Sequence, residues 1–202
     1  IELDFDNITF AQGDIMHLGD IKQSFDLIES VGVLHHLETP LSGWKILKDL
    51  LRPKGFMKIG LYSELARRDI TFGRSQFSKR KETVTNHEMR EFRQQILRET
   101  ENGDLNMKSI STSGDFFNLS EFRDLLFHVQ ESCFTLDQID EAIKSLNLKF
   151  IGFELEDQKV LNDFDTLYPN EYSRQSLSLW EKFEKRKPST FRNMYQFWCQ
   201  KS

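Results

Sequence analysis

The sequence predicts an α/β fold, an open and mainly parallel sheet layered with helices and interrupted by one long helical insertion. Three observations carry this. Phe25 to Ser63 reads strand, turn, helix, strand, FDLIESVGVLHHLETPLSGWKILKDLLRPKGFMKIGLYS, the size that a right-handed parallel crossover needs. After Ser63 the pattern becomes charged and helical up to Phe134. From Thr135 onward, apolar helix and strand segments resume and continue to the end.

Taken in order, Asn7 to Gln12 alternates like a short strand and stops at the turn signal Gly13-Asp14. Phe25 to Ser30 is the next strand. Leu41, Trp44, Ile46, Leu47, Leu50 and Leu51 fall near a 3.6 period and predict an amphipathic helix, ended by Arg52-Pro53. Phe56 to Tyr62 is apolar on both faces, as a strand between two helix layers should be. Ala66 to Phe72 and His87 to Arg98 read as charged helices. Asn102 to Gly114 reads as a loop, and Leu119 to Val129 regains helical spacing. Thr135 with Gln138 makes a capping box for a helix reaching Leu146. A strand over Leu148 to Leu155, a helix over Glu171 to Lys185 and an interior strand over Phe191 to Cys199 follow. The organisation expected is an α/β part at 1–62, an inserted, mainly helical part at 63–134, and a return to the same core at 135–202. An insertion at the carboxyl ends of the strands shapes the ligand site.

Composition bounds the function. The 202 residues carry a net charge of -5, which argues against a nucleic-acid binder. No apolar run approaches the roughly 18–20 residues of a membrane span, and no export leader opens the chain. Cys133 and Cys199 stand alone, which fits reduced thiols and a cytoplasmic setting. Nine Lys and Arg residues lie between Glu64 and Arg98, among them Arg67, Arg68 and Arg74. They read as a solvated helical face, or else as a basic surface meeting an acidic substrate or another part of the polypeptide.

The GDI turn (Gly13-Asp14-Ile15), the FDLIESVGVLHHL segment and the LLRPKGFMKIG element resemble class I S-adenosylmethionine-dependent methyltransferases. The words GLYSELAR, DLLFHVQE, FTLDQI and MYQFW resemble a bacterial branch in which this domain often follows tetratricopeptide repeats. The resemblance implies a partial Rossmann-like sheet from a family order of 3-2-1-4-5-7-6, with the insertion after the fifth family strand. It implies methyl transfer from S-adenosylmethionine to an unidentified acceptor. The family's opening strand and Gly-rich loop have no counterpart, and no GxGxxG occurs in the sequence. The chain therefore looks like the C-terminal part of such a domain, and these 202 residues by themselves are expected to be inactive and to bind cofactor weakly. Rival readings are a non-catalytic interaction module that retains a degenerate form of the fold, and a dehydrogenase-like nucleotide-binding half.

The resemblance places Asp14, Ile15, Ser30, Val31 and Gly32 beside the cofactor. A carboxylate at Asp14 can accept from an adenine amine while Ile15 packs on the base; the plainer alternative is an Asp capping its own turn. Gly32 would permit close backbone approach. His35-His36 with Glu38 is not expected to hold a metal, because adjacent histidines on a turn diverge. His87 lacks the second histidine of a zinc helix, and Leu61 stands where a phosphate loop needs lysine. Asp124, His128 and Glu131, spaced i, i+4, i+7, would share a face if the helix continues. His128, oriented by Asp124, is the candidate base; otherwise the three tie the insertion to the core.

Overall fold

The computed structural model describes residues 7–22, 24–77, 84–128 and 130–202. Lys79, Arg80 and Lys81 of the basic stretch, and Val129, lie outside these. The crossover forms from β1 (Phe25–Val31), α1 (Pro40–Leu50) and β2 (Leu51–Ser63). Pro40 sits in the first turn of α1, where its missing N–H leaves no bond unmade. β2 starts earlier than the apolar pattern does. Phe25 pairs with Leu51 and Leu27 with Phe56, so residues 52–55 bulge out of the ladder. Lys54 takes a φ of 66° there, and a Cβ on Gly55 would stand 2.9 Å from the Arg52 carbonyl oxygen.

Three strands complete the sheet: β3 (Cys133–Phe134), β4 (Leu148–Phe153) and β5 (Tyr195–Lys201). The order is β1-β2-β5-β4, with β1 and β2 parallel and β5 antiparallel to both neighbours; β3 pairs with the end of β2. This is the 4-5-7-6 half of the sheet that the resemblance implies. β5 is interior, as its sequence predicts, with Tyr195, Phe197 and Cys199 buried on one face. Among the described residues nothing pairs with the far edge of β1. Asn7 to Gln12 is accordingly not a strand, because an alternating pattern without a neighbour has no ladder to join.

The insertion contains α2 (Arg68–Phe77), α3 (Asn86–Glu101), α4 (Leu105–Ser111) and α5 (Leu119–Phe127). The expected loop at Asn102–Gly114 thus holds a helix. Gly103, at φ 94°, ends the chain's previous turn; Asp104 then caps α4, and Met107 and Ile110 are buried one turn apart. Core helices α6 (Leu136–Ser145), α7 (Gln158–Leu167) and α8 (Leu177–Arg186) pack on the sheet. α7 was not evident from the sequence, and the helix expected over Glu171–Lys185 begins only at Leu177.

Two apolar clusters result. One joins the sheet to its helices through Leu34, Trp44, Met57, Ile59, Trp180 and Phe197. The other belongs to the insertion and includes Met89, Phe92, Ile96, Phe116 and Phe122. In α3, Met89, Phe92 and Ile96 recur three and four residues apart, which turns one stripe inward.

Candidate active site

β1 ends against α1 in a turn that exposes backbone. Gly32 has a φ of 78°, and a Cβ there would meet nothing within 4 Å. Two residues earlier the Ser30 hydroxyl is buried yet has no hydrogen-bond partner among the described residues. An orphaned buried hydroxyl at the carboxyl end of a parallel strand is what a polar ligand would satisfy. The residues present fit one wall of a cofactor site.

Asp14 caps the short 3-10 helix Ile15–Asp20; one carboxylate oxygen accepts from the Met16 N–H at 2.9 Å. Asp14 is exposed, so its second oxygen is free to meet a ligand. Ile15 reaches α1. A Cβ built on Gly43 would stand 3.4 Å from the Ile15 methyl, 3.3 Å from Leu34 and 2.2 Å from Leu37. The GDI turn and the turn that follows Gly32 therefore pack at one place on α1.

Beside Val31 lies a cavity of about 490 Å³ between the strand ends and the insertion, lined by Tyr62, Arg67, Asp115, Arg192 and Met194 among others. Arg192 crosses to the insertion, donating to the Ser109 carbonyl and the Thr112 hydroxyl at 3.2 and 3.1 Å. Gly60 keeps this corner tight: a Cβ there would come within 2.5 Å of the Met194 sulfur and 2.7 Å of Val31.

A polar cluster lies behind Tyr62. The Arg67 guanidinium sits 3.5 Å over the Tyr62 ring and donates twice to Glu131, at 3.0 and 3.0 Å. Arg74 donates to the same carboxylate at 2.8 Å and to the Leu125 and Asp124 carbonyls. The Glu131 side chain is only 2% exposed. Arg67 and Arg74 are thus not part of a solvated face; they are the insertion's ion-pair anchor. His35 is fully buried, its ring 4.1 Å from Tyr62 and its Nε2 3.1 Å from that of His36. Burial, with His36 adding to it, pushes the His35 imidazole down to about 4, so it is neutral near pH 7.

Asp124 and His128 are not brought together. α5 ends at Phe127, and His128 takes extended backbone angles as its C-cap. The helix that was to align Asp124, His128 and Glu131 therefore ends before Glu131, and no hydrogen bond joins the Asp124 and His128 side chains among the described residues. The Asp124 carbonyl, not its carboxylate, is engaged, by Arg74. The His128 Nδ1 accepts from the Gln130 N–H at 3.3 Å, which leaves the neutral ring's proton on Nε2. His128 also lies 4.0 Å from the His36 ring, and His36 Nδ1 stands 3.1 Å from the Gln130 carbonyl oxygen.

The family whose model matches residues 2–59 is described as a methyltransferase domain. PKMT2 from Rickettsia typhi superposes with a TM-score of 0.66 at 15% identity, over 92% of this chain and 37% of that one. The same protein in complex with AdoHcy gives a TM-score of 0.62 at 14% identity, with the same coverage of both chains. The fold is that of a class I methyltransferase. An uncharacterized protein of Synechococcus sp. is 27% identical over 204 residues, which is 88% of this chain and 44% of the relative. The chain spans less than half the length of each of these proteins.

Within this class I methyltransferase fold, sequence reasoning missed Tyr62 and Arg192, and it named Arg67 and Glu131 without joining them to each other. Tyr62 read as one more apolar strand position, yet its place at the end of a parallel strand was the available signal. Glu131 meets Arg67 across 64 residues of sequence, and no local spacing announces such a pair.

Proposed function

We propose that this chain is the acceptor-side part of an S-adenosylmethionine-dependent methyltransferase acting on an unidentified acceptor. One observation carries the reading: the strand-end cavity opens beside Val31, at the same β1 terminus where the Ser30 hydroxyl has no partner among the described residues and Gly32 borders open space. S-adenosylmethionine would supply a sulfonium methyl to a nucleophile. Asp14, Ile15, Ser30, Val31 and Gly32 would hold it, with Ile15 against the base and the Gly32 backbone against the amino-acid part. The insertion would close the cavity's other side and exclude water. Because methyl transfer gains most from alignment, walls that fix the acceptor do more than a strong base would. Asp124 and His128 take no step in this reading.

The test is methyl incorporation from labelled S-adenosylmethionine into a fractionated cell extract, with the complete gene product as enzyme. Transfer is expected, and Gly32→Val, which strains a left-handed backbone and fills the open space, should abolish cofactor binding in calorimetry. A complete protein that neither binds cofactor nor transfers methyl would instead be a non-catalytic interaction module. Tetratricopeptide repeats elsewhere in the same polypeptide and a cytoplasmic location belong to this proposal as well. The described residues contain no helix long and apolar enough to cross a membrane.

A further inference from the structure

Tyr62, the last residue but one of β2, lines the cavity. Its ring is held by the Arg67 guanidinium, 3.5 Å from the centroid, and by the His35 ring at 4.1 Å. No hydrogen bond ends on its hydroxyl among the described residues. A phenol whose ring is fixed and whose oxygen is unspent has a polar group available to a ligand.

The ring's support is built by a strap from the insertion. Residues 130–132 return from α5 to β3, and Tyr62 pairs in register with Cys133. The Ser132 N–H donates to the His35 carbonyl at 2.8 Å, so the strap is tied to the turn after β1 as well. This places Glu131 where it holds Arg67 through both oxygens, with one oxygen shared by Arg74 from α2. A bidentate pair fixes the guanidinium plane, and with it the surface on which the phenol ring rests.

From this arrangement we infer that the Tyr62 hydroxyl contacts the methyl acceptor directly, and that Glu131, acting through Arg67, is the positioning residue that aims it. The inference rests on the proposed methyl transfer. The acceptor class it names is one presenting an O–H or N–H nucleophile that can hydrogen-bond a neutral phenol. Burial raises the Tyr62 hydroxyl above its ordinary range, with Arg67 opposing, which keeps it protonated near neutral pH. A protonated phenol can accept from the nucleophile's proton and donate to a neighbouring acceptor oxygen. Such contacts would orient the acceptor's lone pair for an in-line transfer. In that step the new bond to the methyl carbon forms as the S–CH3 bond breaks, the bonding pair stays on sulfur as a neutral thioether, and the acceptor's proton leaves to solvent rather than to Tyr62.

The experiment uses the complete gene product, tritiated S-adenosylmethionine and serial dilutions of the extract fraction that accepts label. Tyr62→Phe removes only a hydroxyl that none of the described residues binds, so thermal stability and calorimetric cofactor affinity should match wild type. Its rate at saturating extract should fall about tenfold. Glu131→Gln should raise the extract concentration needed for half-maximal rate, with cofactor affinity retained. Combined with Tyr62→Phe, it should add little further loss, because both act through one hydroxyl. A Glu131→Gln loss that simply multiplies the Tyr62→Phe loss would overturn the positioning role. Full activity of Tyr62→Phe in a methyl-transferring wild type would overturn the contact itself and leave the proposed function standing. A wild type that binds no cofactor and transfers no methyl would overturn both.

Discussion

The sheet core and the helical insertion are built by the same force but held by different ones. In the core, apolar residues on two sides of a hydrogen-bonded ladder come from segments as distant as Leu34 and Phe197. The insertion assembles locally, from stripes on helices between Ile70 and Leu126. Where the two regions meet, polar contacts gather: Arg192 on Ser109 and Thr112 and the Ser132 N–H on the His35 carbonyl cross between them, and Arg67 and Arg74 on Glu131 clamp the two ends of the insertion together beside the sheet. Apolar burial has little directional preference, so it makes bodies; ion pairs and hydrogen bonds fix one body's orientation on the other. The cavity lies along that polar junction.

The largest effects should separate the two bodies. Phe197→Ala in the core and Phe122→Ala in the insertion each remove a fully buried ring, at a cost of about 3–5 kcal/mol. Hydrogen exchange should show the first loosening β2, β4 and β5 together. The second should release α3 and α5 while leaving the sheet protected; loss of sheet protection in Phe122→Ala would show that the bodies are one cooperative unit.

Next comes the junction. Glu131→Ala leaves two guanidinium groups without their carboxylate and should cost about 3 kcal/mol in urea unfolding. Exchange should rise at α2 and in the strap before β3. A change confined to either body's interior would refute the joint assigned to Glu131.

A smaller, pH-dependent effect belongs to the core. His35 is held below its unfolded value, so the folded state binds fewer protons between about 6.5 and 4. Its contribution is complete above pH 6.5 and is lost as pH falls through that window. Glu184 has the opposite sign. Burial raises its carboxyl despite hydrogen bonds from Ser63 and Tyr195 at 2.5 and 2.6 Å. Its contribution is present at acid pH and declines as pH rises above the ordinary carboxylate range. Urea midpoints followed against pH should therefore flatten on the acid side in His35→Gln, and decline less on rising pH in Glu184→Gln. Unchanged slopes in both variants would mean that neither group titrates with folding.

The helix caps provide the smallest and most matched comparison. Thr85 and Thr135 both form capping boxes, with Glu88 and Gln138. Replacing either by Ala should cost about 1 kcal/mol. Thr85→Ala should loosen only α3, whereas Thr135→Ala should lower the stability of the whole core in chemical denaturation.

Legibility in the sequence followed the same division. The α6 capping box and the crossover from Phe25 to Tyr62 were readable because their signals lie within one turn or one strand. Asn7 to Gln12 misled because alternation describes a face and does not provide the neighbour that makes a strand. The Asn102–Gly114 segment misled because Gly and Asn outweighed a one-turn pattern of Met107 and Ile110, which only packing against α3 makes helical. Asp124, His128 and Glu131 shared a face only for as long as a helix was assumed to continue.

By itself the sequence determined the segments, their periodicities and the strand ends at which a ligand site would open, since each follows from spacing along the backbone. Tertiary structure alone decided that Arg67 and Arg74 turn inward onto Glu131, that Tyr62 keeps its hydroxyl unspent, and that Asp124 and His128 part company. Those outcomes depend on charges and rings that meet across long stretches of chain, where energy depends on position in space and no local pattern records it.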